Sequence, residues 1–125
     1  MRVKMCSIHV TDPAAAHAVY TEKFGFDTLM AIPEGNLFIV QDASIPGGPG
    51  LLLEPSDNPI GEDYRSRVYE AGMPAIVFGV EDVAAEAERL AAAGLRVLGE
   101  PVADPSGTYV DVDDSCGNLI RLHQD

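Results

Sequence analysis

The stretch IHVTDPAAAHAVYTEKFGF, residues 8–26, carries two of the chain's three histidines, His9 and His17; the third, His123, lies in LIRLHQD near the end. Imidazole is the commonest metal ligand and the side chain whose charge changes near neutral pH. The pair therefore points either to a metal or to acid–base chemistry. Few other groups qualify. Glu54 is the only carboxylate of the apolar segment LLLEP, and Arg121 stands two residues before His123. Cys6 and Cys116 lack CxxC spacing and read as free thiols of a reducing compartment. A nucleophilic Cys116 needs an activating neighbour, and the sequence supplies none. The run DVDD, residues 111–114, lacks the glycine and terminal glutamate of a calcium loop and reads as a solvated strand end.

The elements that must position these groups follow from patterning. Residues 2–10 are apolar enough for a strand. Asp12 is placed to cap a helix, and Pro13 suits the first helical position, where its missing N–H costs nothing. Ala16, Val19, Tyr20 and Phe24 share one helical face, and Gly25 is placed to end the helix. His17 then lies on a helix as a surface or partly buried residue. Strands are expected over 27–32 and 37–41. IPGGPG is a turn, and LLLEP is a fourth strand.

The second half repeats this order. VTDPAAAHAVYTEKFGF has a partner in VEDVAAEAERLAAAGL: apolar residue, Asp cap, helix, Gly, apolar residue. Asp82 caps, Val83, Ala87, Leu90 and Ala91 form the buried stripe, and Gly94 ends the helix. Strands follow over 95–98, in TYVDVDD and in LIRLH. The chain is expected to be α+β: one domain over 1–125 built of two βαβββ modules, about 1–55 and 74–125. A linker of about 56–73 joins them, with a short helix near 63–69.

Composition bounds the function. A chain of 125 residues buries roughly two thirds of the surface its unfolded form exposes and folds without staples. Twenty acidic against eight basic residues, net −12, would repel a phosphate backbone, which argues against nucleic acid. No apolar run approaches the roughly 20 residues that span a bilayer. MRVKMCSIHV is too short and polar for a signal peptide, so a cytoplasmic location is expected.

The residues VTD…AVYTEKFGF, FGVEDV…AAAGL and DDSCGNLIRL resemble the vicinal oxygen chelate superfamily of glyoxalases, extradiol dioxygenases, fosfomycin-modifying enzymes and bleomycin-resistance proteins. The resemblance implies that each module curls its mixed sheet into a half-open cup. Paired cups then form a cleft, often between the chains of a homodimer. It also implies four His/Glu-type ligand positions in metal-dependent members. Here these fall on Met5, Ala75 and Arg121, with the fourth near Gly50 or Leu52 and Glu54 as its fallback. A thioether, a methyl group and a guanidinium do not make a divalent-ion site. No metal and no cofactor are expected.

In the implied topology the first and fourth strands run parallel, so Met5 neighbours Gly50 and His9 neighbours Glu54. His9 shares Met5's facing but lies roughly 13 Å along the strand. His9 and Glu54 read as a rim hydrogen bond or, alternatively, as an acid–base dyad. A metal held by His9, Glu54 and His123 is a third reading, ranked below both. The same parity makes Ser7, Leu52, Val77, Gly79, Tyr109, Asp111 and Leu119 line the cleft, with Phe38 beside them. Cys6, Ile8, Val10, Ile76, Phe78, Val80, Val110, Val112, Ile120 and Leu122 should pack under the helices.

The function expected is metal-independent binding or sequestration of a small molecule, as in the bleomycin-resistance branch. The alternative is a lyase, isomerase or oxidoreductase with a displaced or metal-free site, and a regulatory domain without ligand is the third reading. Arg121 would favour an anionic group on the ligand, unless Glu54 or Asp111 neutralises it.

Overall fold

The computed structural model describes residues 1–125. Its elements run β1 Met5–Val10, α1 Pro13–Glu22, β2 Asp27–Ile32, a single 3-10 turn Pro33–Gly35, β3 Leu37–Gln41, β4 Gly50–Pro55, α2 Pro59–Glu70, β5 Pro74–Gly79, α3 Val83–Ala92, β6 Arg96–Asp104, β7 Gly107–Asp113 and β8 Leu119–Gln124. The chain is α+β, with two compact units, Met1–Asp63 and Tyr64–Asp125, each holding one open four-stranded sheet. No helix is long and apolar enough to cross a membrane.

In the first unit the strand order is β1-β4-β3-β2, with β1 and β4 parallel and the other pairs antiparallel. Asp12 caps α1 by accepting from the N–H groups of Ala14 and Ala15 at 3.1 and 3.4 Å. Ala16 and Tyr20 are buried with Ile8, Val10, Val40, Leu51 and Leu53, and the Tyr20 ring stacks on Phe24 at 4.8 Å. Gly25 ends the helix at φ +87°, a conformation that favours glycine.

Two residues of this unit lie elsewhere than expected. Phe38 is under α1, buried, with its ring centroid 5.1 Å from that of His17. The β3–β4 register pairs Ile39 with Leu52, so Ile39, not Phe38, shares Leu52's facing. Cys6 is exposed rather than buried. α1 packs on β3 and β4, leaving the start of edge strand β1 uncovered. That strand also begins at Met5 rather than at residue 2.

The second unit repeats the order as β5-β8-β7-β6. Asp82 caps α3 through the Ala85 N–H at 3.0 Å, and Val83, Ala87 and Leu90 are buried, while Ala91 is exposed. Val110, Val112, Ile120 and Leu122 are buried as expected. Ile76, Phe78 and Val80 are only half-buried, because α3 lies over β6, β7 and β8 and leaves edge strand β5 partly uncovered.

Three boundaries differ from expectation. α2 is longer than residues 63–69, because Asn58 caps it, accepting from Gly61 N–H at 2.8 Å. β6 continues to Asp104 through an irregularity between Leu98 and Val102. Gly99, at φ +81°, supplies that bulge, and Pro101 is tolerated because β6 is an edge strand. The DVDD run is not a solvated end. Asp114 is 0% exposed and binds the turn SCGN, while Asp113 accepts from Tyr69, Arg96 and the Ser115 N–H. Burial pushes the Asp113 carboxyl up, but these donors outweigh it and hold it below the usual carboxylate range.

Candidate functional site

In each sheet the face opposite its helix is the open one, and strand alternation decides which residues reach it. In the first unit β1 and β4 place Met5 beside Gly50, Ser7 beside Leu52 and His9 beside Glu54. The register extends this face across Ile39 to Met30, and from Leu37 to Ile32. Met5 and Leu29 are each 49% exposed, and Met30 and Ile32 each 43%. Soluble chains rarely leave so many large apolar groups together on one face without something to cover them. Sequence reasoning missed Leu29, Met30, Ile32 and Ile39. A bulge between Thr28 and Met30 resets the parity of β2, and only the alternation of Met30 with Ile32 hinted at their facing.

His9 sits at one end of this face. Its Nδ1 lies 3.4 Å from the Pro55 carbonyl oxygen, and its Nε2 lies 3.8 Å from Glu54 Oε2. The latter is an ion-pair distance, too long for a hydrogen bond. The first turn of α2 closes over the ring: a Cβ built on Gly61 would fall 2.7 Å from Nδ1. Gly61 is therefore required for this helix to approach, and it too was missed, because the helix start at Asn58 was not read.

In the second unit the register gives two rows on the open face. Val77, Arg121, Asp111 and Leu98 form one; Gly79, His123, Tyr109 and Val102 form the other. Ala75 falls at an irregularity between Pro74 and Ile76 and has no strand partner. Arg121 is paired across the strands. Its Nε and NH2 donate to Asp111 Oδ1 and Oδ2 at 2.8 and 3.0 Å, and its guanidinium carbon lies 4.0 Å above the Tyr109 ring. This fork is bidentate, the strongest common ion-pair geometry. Arg121 therefore does not present an unpaired cation to a ligand: Asp111 neutralises it, the condition under which an anion preference was not expected. His123 Nε2 is 3.2 Å from Ser106 Oγ, and Nδ1 is 3.6 Å from Asp125. Leu119, expected on this face, is buried. It pairs in register with Asp113, where the Tyr69 hydroxyl of α2 arrives at 2.5 Å and covers that end.

These donors do not fit a divalent ion. Met5 offers a thioether, Ala75 nothing, and Arg121 a cation already bound to a carboxylate. No three His, Cys, Asp or Glu side chains are grouped to hold a metal. Cys116 is buried, with its N–H on Asp114.

Two βαβββ units with equal strand order, each leaving one sheet face open, define a class of small two-module α+β proteins. Residues 2–122 match the Glyoxalase/Bleomycin resistance protein/Dioxygenase superfamily, and the chain belongs to that family. It is 35% identical over 126 residues to the uncharacterised protein YurT of Bacillus subtilis (strain 168), covering 99% of each chain. Among solved structures it is similar to UcmS2, with a TM-score of 0.82 and 30% identity over 100% of this chain and 98% of that one. It is also similar to TnmS3, an antibiotic binding protein from Streptomyces sp. CB03234, with a TM-score of 0.76 and 26% identity over 99% and 95%.

Proposed function

We propose that this protein binds and sequesters a small, mainly apolar molecule without a metal. The observation that carries the reading is the open sheet face of the first unit, where Met5, Leu29, Met30 and Ile32 are exposed together. Methionine thioethers are flexible and polarisable, and they suit irregular or aromatic ligands. The similarity to TnmS3, an antibiotic binding protein, supports a ligand of drug size. Free thiols at Cys6 and Cys116 agree with a cytoplasmic location.

Purified protein is expected to carry no stoichiometric Zn, Ni, Mn or Fe, and EDTA should leave its melting temperature unchanged. In calorimetry with a panel of polyaromatic antibiotics, a binder should titrate to a fixed stoichiometry and be recovered chemically intact. Elemental analysis near one metal per chain, or conversion of the ligand, would instead place the protein with the lyases, isomerases and oxidoreductases of the alternative reading.

The partner we propose is a second copy of the chain. All six residues of edge strand β2 are exposed, as are the first three of edge strand β1, and pairing is the usual way such edges are covered. Light scattering at micromolar protein is expected to give about twice the 13.3 kDa chain mass. A monomer mass there would count against the assembly.

A further inference from the structure

We infer that Glu54 selects the ligand, and that the open face of the first unit takes an apolar molecule carrying a protonated amine whose ammonium group rests on the Glu54 carboxylate. The inference rests on the binding function proposed above and names the chemical class of its ligand.

The two open faces differ in their charge balance. On the second unit the fixed cation Arg121 and the carboxylate Asp111 close on each other through two hydrogen bonds, so this pair presents no net charge. On the first unit Glu54 has no such partner. It accepts no hydrogen bond within the chain, and the titratable group beside it is His9, with Nε2 at 3.8 Å. At that distance the imidazole does not occupy the carboxylate's lone pairs. His9 is moreover held against the Pro55 carbonyl oxygen and walled in by Gly61, so its ring serves as a side of the site.

The Glu54 side chain is 39% exposed and shares its face with Leu52, two residues earlier on β4. A carboxylate on an apolar face gains more from a cation than one in open water, because the dielectric around the pair is lower. A ligand that covers Met5, Leu52 and Met30 while leaving Glu54 without a donor would strand a charge; one that brings an ammonium group would not.

A net charge of −12 raises the local concentration of cations and disfavours the approach of anions. Far field and near contact thus act in the same direction, which they do not for an anion held at Arg121.

The test uses three probes with one aromatic body: naphthylethylamine, naphthylethanol and naphthylacetic acid. Binding is measured by fluorescence titration at about pH 8, where an ordinary imidazole is neutral. Wild type is compared with Glu54→Gln, which keeps the shape and removes the charge, after circular dichroism and melting confirm that the variant is folded. The amine is expected to bind wild type about tenfold or more tightly than the alcohol, since a charge-assisted hydrogen bond in this setting gives at least that factor, and the acid should bind weakest. Glu54→Gln should bring amine and alcohol to within about twofold of each other. An amine preference that survives Glu54→Gln, or equal binding of amine and alcohol to wild type, overturns the role of Glu54 while leaving the face a binding surface. Failure of all three probes to bind overturns both the inference and the proposed function.

Discussion

Asp114→Ala is expected to destabilise the protein by about 3 kcal/mol and to lower its melting temperature by about 10 °C. Asp114 is wholly buried at the turn between β7 and β8. Its Oδ1 accepts from the N–H groups of Cys116 at 2.7 Å and Asn118 at 3.0 Å, and its Oδ2 accepts from Asn118 Nδ2 at 3.3 Å. The Asp114 N–H in turn donates to the Asn118 carbonyl oxygen at 3.0 Å. Alanine would leave two buried backbone N–H groups without an acceptor, at about 1–3 kcal/mol each. Ser115 adds to the effect, since its positive φ of 61° persists only while the surrounding hydrogen bonds enforce it. Asp114→Asn keeps one acceptor oxygen and should lose less than half as much. Thermal and urea denaturation of the two variants checks this; equal losses would show that negative charge, rather than acceptor geometry, holds the turn.

Gly107→Ala should cost a similar amount, about 2–4 kcal/mol, through backbone strain and overlap. Gly107 opens β7 at φ +139°, which L side chains rarely adopt, and a Cβ there would overlap the Gln124 carbonyl oxygen of β8 while falling 3.1 Å from His123 Cε1. The neighbour is backbone and has no rotamer to yield, so β7 and β8 must separate at this end. The Thr108–Gln124 pairing should lose its hydrogen-exchange protection, and the His123 ring resonances should shift. Gly79→Ala is the control. Its Cβ would meet nothing within 4 Å and its φ is ordinary, so its stability should change by less than about 0.5 kcal/mol. A mild Gly107→Ala would mean that the β6–β7 turn relaxes freely.

Much of the architecture was legible because it rests on local chemistry. Asp12 and Asp82 cap helices since a carboxylate before an amphipathic run meets exposed N–H groups wherever it occurs. Gly25 and Gly94 end those helices at positive φ because other residues resist that conformation. The repeat of these signals gave two modules, and the family they resemble implied the parallel pairing that sets His9 beside Glu54. Hydrophobic alternation likewise placed Val110, Val112, Ile120 and Leu122 under a helix. A period of two is a property of the strand itself.

What only the tertiary structure decided is which side chains meet and which stay uncovered. The β3–β4 register put Ile39 rather than Phe38 on the open face, because a glycine-rich turn leaves register unspecified until the strands pair. Where each helix lies across its sheet decided that Cys6 is exposed and that β5 is only half covered. The bulge at Leu29 shifted parity in a strand whose sequence reads as continuous, and the one at Gly99 carried β6 past its expected end. Charge shows the same division. The sequence determined that Arg121, Asp111, His9 and Glu54 exist on strands of the right facing. Cross-strand distance alone decided that Arg121 is bound to Asp111 at 2.8 Å while Glu54 stands 3.8 Å from His9, since hydrogen bonding falls off within an ångström and no pattern along a chain encodes a separation that fine.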